Sequence, residues 1–362
     1  HPAIAGSEMW SVTVTLVGMA TMIYGAWFAL LKTDLKGILA FSTVSHLGLI
    51  TALLGIGSPM AILAALFHII NHATFKGALF MSAGIIDHET GTRELDKLGG
   101  LRRAMPVTAL LMTLAAASMA GVPLLNGFLS KEMFFTETLE TGLFGGLGWL
   151  LPLLATLGGV LSVAYSLRLV HAVFFKPAKA APPKHPHEPP RLMRAPVELL
   201  VALCVAVGLF PAVLATGLMD LATRAVLGES LDFHLAIWHG VNAPLLMSMF
   251  ALAAGITLYM FHAPVRRFVR QFGTTDARLI FEGSVQRLVA RSQALTGRLE
   301  NGSLQRYMGL LLGSALVLAT LGLIELPQLA GSRPEAELDG VLIFGAALLI
   351  FGAVGTVVTH RY

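Results

Sequence analysis

The chain has 362 residues, 55% of them hydrophobic and only 13% charged, with a formal net charge of +4. A soluble domain of ordinary composition carries about 25% charged residues, so this chain has too little polar surface to cover itself in water. Its apolar residues come in blocks of roughly 20, the length that spans about 30 Å of hydrocarbon as a helix, and they lack the sustained alternation a β-barrel requires.

The expected fold class is all-α, a polytopic membrane protein with the lipid bilayer as its first partner. The basic residues sit between apolar blocks, where lipid headgroups would lie, so they do not point to nucleic acid. Cys204 is the only cysteine, which excludes an intramolecular disulfide and a cysteine metal cluster. No phosphate loop, nucleophile elbow or dinucleotide fingerprint occurs, so neither soluble-enzyme chemistry nor a cofactor is expected. Asn301-Gly302-Ser303 matches a glycosylation sequon, a short pattern that is frequent by chance. The chain opens at His1-Pro2, without methionine or signal peptide, and stops at Arg361-Tyr362 directly after an apolar block. It is expected to be a trimmed chain or an internal fragment of a longer protein.

Nine crossings are predicted in chain order, at 11–31, 38–56, 61–84, 105–142, 149–175, 195–217, 241–263, 307–326 and 339–358. The fourth is broken in its middle by Gly121-Val122-Pro123. The connections 32–37, 85–104, 176–194 and 264–306 carry the basic residues. If 105–142 is one interrupted crossing, all four fall on one side, and the positive-inside rule makes that side cytoplasmic. Residues 177–190 are a Pro-rich linker. Across 276–300, Leu279, Ile280, Val285, Leu288, Val289 and Leu295 recur with Arg287, Arg291 and Arg298 at roughly helical spacing. That pattern predicts an amphipathic helix on the membrane surface or along partner helices.

The second crossing carries Ser42, Thr43, Ser45 and His46, with Asp34 and Lys36 just before it. His46 either extends a proton path or is a packing residue, and Asp34 and Lys36 are either part of that path or an interfacial anchor. In the third crossing His68, His72 and Lys76 lie at i, i+4 and i+8, one stripe about 12 Å long. Charges at membrane depth cost several kcal/mol unless paired or wetted. A proton or ion relay explains the stripe, because His titrates near neutral pH and a buried Lys can release its proton. The alternative is an inert polar seam between helices. A zinc site is conceivable from the two His, but Lys76 on the same stripe argues against it.

In the broken crossing, Lys131 and Glu132 follow the interruption within about one turn of the second half. Broken helices build ion sites in transporters; the plainer reading is a Pro kink with a snorkelling Lys131. The fifth crossing holds Tyr165, Arg168 and His171. Arg168 either snorkels to the cytoplasmic interface, leads protons out, or pairs with an acidic residue elsewhere.

These segments resemble one superfamily. Thr33-Asp34-Leu35-Lys36 and Ala40-Phe41-Ser42-Thr43-Val44-Ser45-His46-Leu47-Gly48 are similar to the antiporter-like proton-pumping subunits of respiratory complex I and the Mrp cation/proton antiporters. His68, His72, Lys76 and Lys131 match that superfamily's central polar axis. His88-Glu89-Thr90-Gly91-Thr92-Arg93, Leu98-Gly99-Gly100-Leu101, Trp238-His239-Gly240 and Leu299-Glu300-Asn301-Gly302-Ser303-Leu304 resemble the large A subunit of Mrp-type antiporters. The resemblance implies a second five-helix antiporter repeat over 1–175, a cytoplasmic linker at 176–194, and further helices over 195–362 with a lateral helix at about 276–300. It implies a subunit of a Na⁺/H⁺ antiporter in the inner cell membrane, partnered by other small membrane subunits. The expected path comprises His68, His72, Lys76, Lys131 and Glu132, with His46 and Lys36. The rival expectation is a proton-pumping subunit of complex I or of a membrane-bound hydrogenase.

Overall fold

The computed structural model describes residues 7–178, 180–238, 240–261, 277–300, 302–324 and 339–359. They fall into two compact units, one within 1–273 and one within 274–362. The first contains α1 (Glu8–Leu31), α2 (Leu35–Ile56), α3 (Pro59–Thr90), α4 (Pro106–Ala120), α5 (Asn126–Glu140), α6 (Leu150–Val170), α7 (Arg191–Leu209), α8 (Pro211–Leu214), α9 (Thr216–Leu227) and α10 (Ala243–Met260). The second contains α11 (Ala277–Leu299), α12 (Leu304–Ile324) and α13 (Gly340–Thr359). Among the described residues the only β-type pairing is one antiparallel bridge, Asp34 to Glu94. The chain is an all-α, multi-pass membrane protein. Helices α1, α2, α3, α7, α10, α12 and the segment 145–175 around α6 are each long and apolar enough to span a bilayer, and α13 carries a shorter apolar stretch.

Local chemistry sets the helix ends. Asp34 accepts the Gly37 amide at 2.6 Å to open α2, and Ser58 accepts the Ala61 amide at 2.9 Å to open α3, with Pro59 first in the helix. Both are ordinary N-caps. Gly57 and Gly91 close α2 and α3 in the left-handed conformation, which glycine adopts without a Cβ penalty. Helix α3 runs six residues past its predicted end, so His88 and Glu89, expected in a connector, lie on its last turn.

Contacts at the helix ends show how the broken crossing runs. Ser58, at the start of α3, donates to Glu137 near the end of α5 at 2.6 Å. At the other end of the bundle, the Leu101 and Arg102 amides reach the Val173 and Phe174 carbonyls, both at 3.3 Å. Thus α4 and α5, 15 residues each, make one crossing between them, as the distribution of basic loops requires. The loops at 32–37, 85–104 and 176–190 meet at one end. Arg93 pairs with Asp34, the Lys184 amide donates to the Thr90 carbonyl, and Glu188 accepts from the Val107 and Thr108 amides that open α4. The Pro-rich linker is therefore tied down at Lys184 and Glu188, and the helices after it pack against those before it. The basic residues at 262–276 lie outside the described residues.

The sixth crossing is longer than its predicted 195–217 and bends a second time. Helix α7 stops at Leu209, α8 occupies Pro211–Leu214, and α9 continues to Leu227. Gly208 lies against the α4–α5 break, where a Cβ would sit 2.3 Å from the Leu124 carbonyl oxygen. Helices α1 and α2 touch through backbone. A Cβ on Gly25 would meet the Ser45 amide at 2.5 Å, and one on Gly48 the Met22 amide at 2.3 Å. Close approach through small residues is the usual glue between membrane helices, and here it fixes the height of Ser45 and His46. In the second unit α11 is one helix, with apolar and polar side chains alike exposed. Asn301 of the sequon and His239 lie outside the described residues.

Candidate functional site

The break between α4 and α5 frees backbone groups at membrane depth, where each must find a partner inside the protein. Gly121 takes φ +87° and Leu124 is the only described non-glycine residue with positive φ, at 70°. Side chains satisfy the ends. Ser118 donates to Asn126 Oδ1 at 2.5 Å and accepts the Gly127 amide at 3.2 Å. Asn126 Nδ2 reaches Asn71 Oδ1 and Thr74 Oγ1 at 3.1 and 2.9 Å, while Asn71 Nδ2 donates to the Asn126 carbonyl at 3.1 Å. The Ala120 carbonyl, at the end of α4, accepts from Lys131 Nζ at 2.9 Å. Lys131 thus sits on the negative end of the α4 dipole, turned back toward the break rather than out along the membrane. It is 5% exposed, which removes the snorkelling alternative.

From Lys131 a hydrogen-bonded chain crosses the bundle. Lys131 Nζ donates to Ser162 Oγ at 2.9 Å, and Ser162 lies 3.1 Å from the Tyr165 hydroxyl. Tyr165 meets His46 Nε2 at 3.2 Å, His46 Nδ1 meets His68 Nε2 at 3.0 Å, and His68 Nδ1 meets Ser130 Oγ at 2.9 Å. All six side chains are buried. They come from α2, α3, α5 and α6, so four helices contribute to one polar layer. Lys76, also buried, donates to Ser42 Oγ and to the Leu39 carbonyl. His72 lies between these groups, its ring 5.4 Å from that of His46 and 6.3 Å from that of His68. A void of about 10 Å³ borders Ser45, His46, Lys131, Ser162 and Tyr165, close to the space one water centre needs.

The expected residues thus converge only in part. His46, His68, His72, Lys76 and Lys131 share the layer. The stripe on α3 does not hydrogen-bond along itself: His68 turns to α2 and α5, and Lys76 turns to α2. Glu132 is buried but leaves α5 on another side. It lines a cavity of about 220 Å³ with Thr136, Glu137 and His234, at the end of the bundle opposite the basic loops. Lys36 pairs with Asp87 at 2.8 Å, both partly exposed, at the basic end. Arg168 is 3% exposed and donates to the Leu30 carbonyl at 2.5 Å, closing the C-terminus of α1, so snorkelling does not describe it. His171 meets the Tyr259 hydroxyl at 2.5 Å. Among the described residues no cluster of three or more His, Cys, Asp or Glu has metal-binding geometry.

Ser130 and Ser162 are not singled out by the sequence, and Tyr165 gains no role from it. A Ser in an apolar helix carries no signal of its own. The available hint is helical spacing, since Ser162 and Tyr165 are three apart and so share a face.

Residues 2–158 match the family described as "NADH:quinone oxidoreductase/Mrp antiporter, TM". The probable K⁺/H⁺ antiporter A/B subunit of Rhizobium meliloti is 49% identical over 91% of this chain and 34% of its own length. The Na⁺/H⁺ antiporter A subunit of Bacillus subtilis is 43% identical over 72% of this chain and 35% of its own length. The chain therefore spans about a third of the length of these curated relatives. Among solved structures, the Mrp complex from Dietzia sp. is similar over 98% of this chain and 38% of its own, with a TM-score of 0.73 and 32% identity. Respiratory complex I from Thermus thermophilus is similar over 61% of this chain and 46% of its own, with a TM-score of 0.53 and 25% identity. These likenesses cover the helices that build the polar layer as well as those that follow it: residues 2–158 belong to the NADH:quinone oxidoreductase/Mrp antiporter membrane family, and the chain as a whole is similar to the Mrp-type A subunits.

Proposed function

We propose that this chain is the proton-conducting part of a monovalent cation/proton antiporter subunit, and that His46, His68, His72, Lys76 and Lys131 carry protons through the membrane layer. One observation supports this above the rest. Two ammonium groups, Lys76 and Lys131, are buried at membrane depth, and among the described residues no carboxylate lies within ion-pairing distance of either. A charge kept for architecture would need a counter-ion, since an unpaired buried charge is costly. An ammonium held by carbonyls and hydroxyls alone sheds its proton without deserting an ionic partner. Imidazoles, which ordinarily titrate near neutral pH, stand in the same layer. A purely structural seam has no need of groups that can change charge.

In this reading Glu132 and its cavity face one side of the membrane and the Lys36–Asp87 pair lies at the other. The basic end faces the cytoplasm of a cell whose inner membrane holds the protein, and further membrane subunits complete the transporter. Na⁺ is the proposed cation. The relatives named above carry Na⁺ or K⁺ in their names, which supports a monovalent cation. The rival reading, a proton-pumping subunit of a redox complex, has the weaker structural likeness. The test is collapse of an imposed ΔpH in everted vesicles carrying the full-length subunit in its complex, on adding Na⁺ or K⁺. Collapse on adding either cation supports antiport. Proton movement that ignores both cations and requires quinone reduction would move the protein to the redox reading.

A further inference from the structure

We propose that Tyr165 and Ser162, two hydroxyls of α6, are the proton-carrying bridge between the His46–His68 imidazole pair and Lys131. The proposal rests on the relay reading above and adds to it the one route by which its two halves are joined.

The route starts at Lys131. Its Nζ has two acceptors, the Ala120 carbonyl and Ser162 Oγ, both at 2.9 Å. A backbone carbonyl can hold a proton donor but cannot pass the proton on, because it has none of its own to release. Ser162 is therefore the exit that the protein itself provides. Its hydroxyl is 3.1 Å from that of Tyr165, which lies 3.2 Å from His46 Nε2. The Tyr165 hydroxyl is not needed for packing. Tyr165 is fully buried among Phe, Leu and Ala side chains of the main core, where a phenylalanine ring would fill the same space. Burying a hydroxyl there stabilises nothing unless it is bonded.

The bonds also share one direction. Lys131 bears only donors, so Ser162 accepts from it; the one Ser162 proton has two acceptors in reach, the Tyr165 oxygen at 3.1 Å and the Met119 carbonyl at 3.3 Å, and the row uses the nearer. Tyr165 then donates to His46 Nε2, which places the His46 proton on Nδ1. That proton points at His68 Nε2, and His68 Nδ1–H points at Ser130 Oγ. Every group in the row accepts on one side and donates on the other.

The step balances. An N–H bond of the Lys131 ammonium breaks as an O–H bond forms on Ser162. The original Ser162 proton moves to the Tyr165 oxygen, and the original Tyr165 proton moves to His46 Nε2. Lys131 becomes the neutral amine, His46 becomes imidazolium, and both hydroxyls end neutral. Afterwards the hydroxyls point the other way and must rotate before the next proton passes, so the bridge moves one proton per reset.

The experiment uses the full-length subunit in its complex, in everted vesicles, with exchange normalised to assembled protein. Tyr165→Phe keeps the ring and loses the transferable proton, and Ser162→Ala does the same at its position. Each is expected to lower exchange by about 100-fold, the scale for losing one positioned proton-transfer group. The residual exchange of each is expected to lose part of its solvent deuterium isotope effect, a change that altered packing alone would not produce. Ser162→Thr, which restores a hydroxyl, is expected to recover exchange. Ser166→Ala removes a hydroxyl bonded only to the Ser162 carbonyl and is expected to be silent. Near-wild-type exchange in assembled Tyr165→Phe, with Lys131→Met inactive, would overturn the bridge while leaving the relay standing. Near-wild-type exchange in Lys131→Met would overturn the relay itself.

Discussion

Replacing Lys131 by methionine keeps most of the side-chain length and removes the charge. Two hydrogen bonds at 2.9 Å disappear, and the Ala120 carbonyl loses the donor that closes α4. An orphaned buried acceptor costs about 1–3 kcal/mol. Against this, the mutant no longer buries an ammonium without a carboxylate, a penalty of about several kcal/mol per ion in real proteins. The two nearly offset, so the mutant is expected to assemble normally. Transport is another matter. If Lys131 holds the proton at the break, its loss is expected to slow exchange about 100-fold, equivalent to about 2.7 kcal/mol on the barrier. The assay is cation-dependent ΔpH collapse, normalised to assembled complex. Wild-type exchange by a normally assembled Lys131→Met would refute the role, since the structure offers no second ammonium at that place in the hydrogen-bond row.

Three further outcomes follow from the same geometry. Asn126→Leu strips partners from Asn71, Thr74 and Ser118 at once and is expected to destabilise by about 2–4 kcal/mol, read as a drop in thermal midpoint in detergent; an unchanged midpoint would mean the break is held by other contacts. Glu188→Ala removes the carboxylate that bonds the Val107 and Thr108 amides and is expected to cost about 1 kcal/mol and to speed protease cleavage within 177–190, whereas unchanged cleavage would show that the linker docks without this contact. Pro183→Cys in a Cys204→Ala background is expected to resist an impermeant thiol reagent added outside intact cells; labelling there would reverse the assigned orientation.

The crossings are legible in the sequence because apolar blocks, caps and basic loops are local signals. Even the single passage of α4 and α5 follows from charge distribution, although neither 15-residue helix spans a membrane alone. The second bend falls at Pro211, whose missing amide ends α7; the seat of Gly208 against the α4–α5 break is the part that the sequence of one helix does not show. The site is half legible. His68, His72 and Lys76 announce themselves by charge and period, but helical period says only that they share a stripe. It does not say which neighbour each one meets. Lys131 reads as a charge beside a break without the reason, its bond to the Ala120 carbonyl. Ser162 shows in the sequence only through its spacing from Tyr165, because its other partners, Lys131 and the Met119 carbonyl, lie on α5 and α4, and pairing across helices leaves no trace in the spacing of one. Lys36 stands out as a charge, and only the placement of Asp87 reveals the pair it forms.

A proton relay requires that the imidazoles of the polar layer gain and lose protons. His68 is the sharpest place to ask whether they do, because it is fully buried and bonded on both ring nitrogens, to His46 and to Ser130. His68→Gln preserves a donor and an acceptor but cannot titrate. The measurement is Na⁺- or K⁺-dependent ΔpH collapse in everted vesicles carrying the full-length complex, per unit of assembled protein. A relay through His68 predicts normal assembly with exchange reduced about 100-fold; exchange at the wild-type rate in that mutant would contradict it and leave the layer a structural seam.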